Sequence, residues 1–192
     1  MNKGLNVLLV GVGGQGTILA SNVLAEVALE CGMQVKMSEV HGMSQRGGSV
    51  VTYVKAGKEV FSPLVDKGEA DIILAFEQLE ALRWLDYLRP NGIILVNNQK
   101  IPPAPVMSGK AQYPEDIFGK IKGNPANLLF VDALTIATDC GNGKASNVVM
   151  MGLLAKKLEF PKELWLKALQ NKIPARLLDV NMKAFEQGYQ CS

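Results

Sequence analysis

The chain has 192 residues, 48% of them apolar, and a formal net charge of +2. That length is enough for one domain with a real core. The charge is too small to argue for a nucleic-acid or acidic-membrane partner, and the longest apolar runs are too short to span a bilayer.

Leu5 to Val10 is a short aliphatic run that reads as a buried parallel strand. It leaves no length ahead of it for a signal peptide, so a cytoplasmic protein is expected. Gly11-Val12-Gly13-Gly14-Gln15-Gly16 follows. Beyond it the pattern turns helical to about Cys31, with Leu19, Val23 and Val27 recurring every fourth residue. Gly32 is a helix stop, and Gln34 to Glu39 reads as a second strand.

His41 to Gly48 is polar and glycine-rich. Ser49 to Lys55 alternates: Val50, Thr52 and Val54 share one face, and Val51, Tyr53 and Lys55 the other. Ala56-Gly57-Lys58 is a turn signal, so Glu59 to Phe61 is expected to return as a short antiparallel strand at a sheet edge. Asp71 to Phe76 is the next buried strand. Glu77 to Leu88 is read as a helix ended by Pro90-Asn91-Gly92, and Ile93 to Val96 as a strand.

The proline-bearing stretch from Asn97 to Tyr113 is expected to be loop. Pro114-Glu115-Asp116 opens a helix. Leu128 to Val131 is a strand, and Asp132 to Cys140 a short helix stopped by Gly141-Asn142-Gly143. Helices over Ala145 to Leu158, Pro161 to Asn171 and Pro174 to Gln187 close the chain. The order predicts an α/β, Rossmann-like, doubly wound and mostly parallel sheet, with a short antiparallel excursion and C-terminal helices. No repeat or composition shift divides residues 1–192 into more than one domain.

The glycine loop matches G-x-G-x-x-G between a strand and a helix, the context that lets backbone N–H groups meet an anion. Glu39 stands near the place of the acid that holds a ribose in nicotinamide or flavin enzymes. Three readings stay open on these residues: a dinucleotide, another phosphate-bearing ligand, or glycines that only shape a turn. In Gln45-Arg46-Gly47-Gly48, Arg46 offers a planar donor fork suited to phosphate or carboxylate, though a solvated loop arginine is also consistent.

The catalytic inventory is thin. His41 is the only histidine and has no evident nucleophile partner. Cys31, Cys140 and Cys191 are far apart and form no ligand spacing, so a metal or iron–sulfur centre held by this chain is not expected. The residues point to a binding surface more than to complete chemistry.

Gly11-Val12-Gly13-Gly14-Gln15-Gly16 together with Glu39-Val40-His41-Gly42-Met43-Ser44-Gln45-Arg46-Gly47-Gly48 resembles the gamma-type domain of the 2-oxoacid:ferredoxin oxidoreductases. The second motif is most similar to the indolepyruvate branch, in its beta subunit. Asn147, after Lys144, and Gly152 add to the resemblance, which extends over most of the chain.

The resemblance implies a subunit of a coenzyme A-dependent enzyme of anaerobic metabolism. Such an enzyme decarboxylates a 2-oxoacid oxidatively, here indolepyruvate or another arylpyruvate, to the aryl-acetyl-coenzyme A and passes electrons to ferredoxin. Thiamine diphosphate and 4Fe-4S clusters would reside in a larger alpha subunit, and this chain alone would be inactive. Cofactor-facing residues would be Gly11, Gly13, Gly14, Gln15, Gly16, Gln45, Arg46, Gly47 and Gly48; no metal ligand or catalytic residue is assigned. The alternatives are an NAD(P)- or flavin-binding oxidoreductase and a ligand-free assembly subunit.

Overall fold

A computed structural model describes residues 4–42, 47–122 and 127–191. The strands are β1 (Leu5–Val12), β2 (Gln34–His41), β3 (Ser49–Gly57), β4 (Ala70–Ala75), β5 (Leu88–Asn97) and β6 (Asn127–Val131). The helices are α1 (Thr17–Glu30), α2 (Gln78–Arg83), α3 (Ala104–Met107), α4 (Ile117–Lys122), α5 (Ala133–Asp139), α6 (Ser146–Lys157), α7 (Lys162–Lys172) and α8 (Ala175–Gln190).

The strands form one sheet in the order β2-β3-β1-β4-β5-β6. β1, β4, β5 and β6 pair in parallel, while β3 pairs antiparallel with both β1 and β2. β2 therefore runs parallel to β1 but is separated from it by a whole strand.

Alternation along β1 divides the core in two. Val7 and Leu9 face α1, α6, α7 and α8; Leu8 and Val10 face α2 and α4, and all four are fully buried. A continuous aliphatic run suits a strand covered on both sides, where neither face meets water. β3 behaves likewise, with Val54 in the first core and Val51 and Tyr53 in the second.

α1 ends at Gly32, whose φ of 76° is the left-handed conformation that glycine adopts without strain. Gly32 N–H donates to Leu29 and Met33 N–H to Ala28, which satisfies carbonyls left over at the helix end. α6 and α8 touch backbone to backbone at Gly152 and Gly188. A Cβ on Gly152 would fall on the Phe185 carbonyl, and one on Gly188 on the Val149 carbonyl.

Three expectations need correction. The antiparallel excursion is neither short nor at an edge. It is the nine-residue β3, inside the sheet. Glu59 to Phe61 is not a strand; β3 already has both neighbours, so no edge is left for a returning segment. The helix expected over Glu77 to Leu88 stops at Arg83 and gives way to a 3-10 turn, Leu85–Tyr87. Leu88 instead begins β5, and Pro90-Asn91-Gly92 lies inside that strand at an irregularity in its register with β4. Asn91 takes a φ of 61° there, and bulges of this kind accommodate proline and left-handed residues. The loop from Asn97 to Tyr113 also holds the single turn α3.

Candidate functional site at the carboxyl edge of the sheet

β1 hands the chain to the glycine loop at the carboxyl edge of the parallel strands, where open α/β sheets bind ligands. The reversal in strand order falls here: the chain leaves β1 for β2 on one side and reaches β4 on the other. Because β3 runs the opposite way, its first residue, Ser49, also sits at this edge. The end of the second motif therefore lies beside the first, and Gly13 N–H donates to the Gly48 carbonyl at 2.9 Å.

Gly14 and Gly16 have φ of 97° and 83°, so the turn into α1 requires left-handed residues. Gly16 precedes α1, and no side chain caps that helix end. The first backbone N–H groups of α1 have no intrahelical acceptor and carry the positive end of a 14-residue helix. Gly16 also packs against Asn147 at the start of α6; a Cβ on Gly16 would collide with the Asn147 amide.

Gln15 turns inward. Its Oε1 accepts from Val12 N–H at 2.7 Å, and its Nε2 donates to the Phe76 carbonyl at 2.9 Å and to Gln99 Oε1 at 3.1 Å. One side chain so joins the ends of β1, β4 and β5. Asn97, buried at the end of β5, completes the junction: its Nδ2 donates to the Phe76 carbonyl and Gln99 Oε1, and its Oδ1 accepts from Ala133 N–H. Gln15 thus holds the loop's shape by hydrogen bonds to protein. Gly11 sits under it, where a Cβ would come within 2.8 Å of Gln15 Oε1.

A groove of about 420 Å³ opens in front of the loop. Gly13, Gly14, Gly16 and Thr17 form one wall, Val50 the floor, and Glu39 and His41 of β2 the far wall. Gly47 takes a φ of 74° and lies with Gly48 at the start of β3. Gln45 and Arg46 lie outside the described residues. Lys144 is exposed, with its backbone N–H bonded to Asn142 Oδ1 in the turn before α6.

Glu39 stands farther from the loop than a ribose-binding acid does. In a dinucleotide fold the second strand lies beside the first; here β3 intervenes, adding one strand spacing of about 4.8 Å. Glu39 Oε2 instead accepts from Thr52 Oγ1 on β3 at 3.2 Å. This placement disfavours the nicotinamide or flavin alternative.

Two buried carboxylates behind the loop escaped the sequence reading. Glu77, fully buried, accepts from Tyr113 Oη, Ile101 N–H and Glu80 N–H. Glu80 accepts from Ser49 Oγ at 2.5 Å and Arg83 Nη1 at 2.6 Å. Burial raises the Glu80 carboxyl above its ordinary range, against the lowering effects of Ser49 and Arg83. Burial and the neighbouring Glu77 likewise raise the Tyr113 phenol. The available signal was Glu77 directly after an apolar strand and Glu80 three residues on, where polar residues at a carboxyl edge gather.

Among the described residues no group of three or more His, Cys, Asp or Glu side chains is placed to hold a metal, and the three cysteines are free. No described helix is long and apolar enough to cross a membrane.

The model of the pyruvate ferredoxin/flavodoxin oxidoreductase family matches residues 6–191. This chain belongs to that family. An indolepyruvate oxidoreductase subunit IorB from Thermococcus kodakarensis is 40% identical, with 99% of this chain and 96% of the relative covered. The IorB of Archaeoglobus fulgidus is 38% identical over 96% of this chain and 94% of its own. Among solved structures, the gamma subunit of a keto/oxoacid ferredoxin oxidoreductase from Geobacter sulfurreducens superposes with a TM-score of 0.73 at 24% identity, covering 97% of this chain and 96% of its own. A 2-oxoglutarate:ferredoxin oxidoreductase from Magnetococcus marinus contains the same fold within a longer chain: TM-score 0.75, 18% identity, 98% of this chain and 31% of that one.

Proposed function

We propose that residues 1–192 form one gamma-type domain serving as the cluster-free subunit of a coenzyme A-dependent 2-oxoacid:ferredoxin oxidoreductase. The substrates are indolepyruvate and related arylpyruvates, and the product is the aryl-acetyl-coenzyme A. The observation that carries this is the 37–40% identity, over nearly the full chain, to four IorB subunits. The junction of the two motifs at one sheet edge agrees with it.

Thiamine diphosphate and the 4Fe-4S clusters belong to a larger alpha subunit. The scattered cysteines of this chain do not fit cluster ligation. This chain contributes an anion-accepting surface: the free N–H groups at the start of α1, shaped by Gly14 and Gly16 and supplemented by Arg46, face the phosphates of coenzyme A. Gln15 sets that shape from behind. The assembled enzyme acts in the cytoplasm and passes its electrons to ferredoxin.

The test is an assay of indolepyruvate oxidation with coenzyme A and a low-potential acceptor. The isolated chain is expected to be inactive and co-expression with its alpha chain to restore turnover. Full activity of the isolated chain overturns the proposal. Arg46→Ala should raise KM for coenzyme A in the assembled enzyme; an unchanged KM removes Arg46 from the site.

A further inference from the structure

Alternation along β3 gives its first two side chains to opposite faces of the sheet. Val50 forms the floor of the groove at the glycine loop. Ser49 points the other way, toward α2, where its Oγ donates to Glu80 Oε2 at 2.5 Å.

Ser49 stands where the two walls of the groove are tied together. Its own carbonyl accepts from Gly42 N–H at 3.3 Å, and Gly42 directly follows His41 of the far wall. The carbonyl of Gly48, the residue before it, accepts from Gly13 N–H of the near wall at 2.9 Å. Val12 lies opposite Ser49 in the register of β1 with β3. β1 and β2 do not pair with each other, so within the sheet the two walls meet only through β3. A displacement of Ser49 therefore moves both walls.

Glu80 is built to hold that serine in place. It is 2% exposed, and its second oxygen, Oε1, accepts from Arg83 Nη1 at 2.6 Å, which fixes the plane of the carboxyl group. Its backbone N–H donates to Glu77 Oε2 at 2.9 Å. Glu77 is held in turn by Tyr113 Oη and Ile101 N–H, so the start of α2 is tied to segments outside the helix. Burying two carboxyl groups one helical turn apart is costly, and apolar side chains of similar volume would pack such a place at lower cost. Covering the sheet needs only Leu79 and Ala81 of α2, which already pack in the second core.

We propose that Glu80 and Ser49 are positioning residues for coenzyme binding, setting the separation of the two groove walls from the opposite face of the sheet. This rests on the reading of that groove as the surface for coenzyme A. Neither side chain lines the groove; both act through the Gly48 and Ser49 carbonyls.

The test has two arms. In the full chain, amide hydrogen exchange followed by NMR reports the link itself with no ligand present. Ser49→Ala should speed exchange at Gly13 about tenfold, with Val54 in the middle of β3 unchanged, and Ser49→Thr, which keeps the hydroxyl, should restore the wild-type rate. In the enzyme assembled with its alpha chain, Ser49→Ala should raise KM for coenzyme A about tenfold and leave kcat and KM for indolepyruvate within about twofold. Ser49→Thr should return KM to the wild-type value. Glu80→Gln, which offers one acceptor to two donors, should move Gly13 exchange and KM for coenzyme A in the same direction as Ser49→Ala. Unchanged exchange at Gly13 overturns the proposal whatever the groove binds. Faster exchange with an unchanged KM overturns it while the coenzyme reading stands, provided Arg46→Ala still raises that KM; if neither substitution moves KM, the coenzyme reading falls and the proposal with it. A loss of kcat at unchanged KM that threonine does not rescue marks a merely structural role and overturns it as well.

Discussion

Gly13 N–H donates to the Gly48 carbonyl at 2.9 Å, joining two glycine-rich motifs that lie 35 positions apart in the chain. The bond exists because β3 enters the sheet antiparallel beside β1, with Val12 opposite Ser49. A parallel β3 would have carried its first residue to the opposite edge.

The two left-handed glycines of the loop differ in what surrounds them. At Gly14 an added Cβ meets open space, so Gly14→Ala carries only backbone strain, about 1–2 kcal/mol. Gly16→Ala adds a collision with Asn147 and should destabilise more. Denaturant titration checks the ranking. Asn147→Ala combined with Gly16→Ala should recover part of the difference, because it removes the obstructing amide.

Gln15→Glu keeps the acceptor for Val12 N–H but removes the donor to the Phe76 carbonyl and Gln99. It leaves a carboxylate against two oxygens. A loss of about 1–3 kcal/mol is expected in urea unfolding. KM for coenzyme A in the assembled enzyme should rise with it, since the loop that presents the N–H groups loses its brace.

Glu80 predicts a pH effect. Burial raises its folded pKa above that of an ordinary glutamate. Its favourable contribution is therefore complete below the unfolded pKa and is lost as pH rises through the raised folded value. Glu80→Gln does not titrate. In thermal melts taken from pH 4 upward, the variant should gain on the wild type as pH rises through that window. A difference that stays constant with pH would show that the carboxyl is not raised.

Gly188→Ala tests the helix crossing. The added Cβ would strike the backbone of Val149, which cannot move as a side-chain tip can. Overpacking of this kind costs about 1–3 kcal/mol or more. Gly109→Ala is the comparison: its φ is also positive, at 71°, but nothing lies within 4 Å. Circular dichroism melts should show a much larger loss at Gly188.

Much of the fold is legible because neighbouring residues carry it. The aliphatic run of β1, the fourfold spacing in α1, the stop at Gly32 and the alternation of β3 are local patterns with local causes. The helix expected over Glu77 to Leu88 failed where local preference met a competing demand. Leu88 pairs with Ala70 on β4, and helical periodicity cannot reveal that partner. The glycine loop was visible as a motif, yet the inward turn of Gln15 was not. Its three hydrogen bonds end on Val12, Phe76 and Gln99, two of them far away in the chain. Nothing local marks Glu77 and Glu80 as buried, because Tyr113, Ile101 and Ser49, which close over them, lie elsewhere in the chain.

The sequence by itself determined most of the element types and the two glycine motifs, and the resemblance those motifs carry pointed to the family. The element types rest on periodicity and backbone preference, which act over a few residues. Only the tertiary structure decided that β3 lies between β1 and β2, that Glu39 is therefore displaced from the loop, and that Gly13 meets Gly48. Strand order is set by which faces can be buried together, a property of the whole sheet that no single stretch of chain contains.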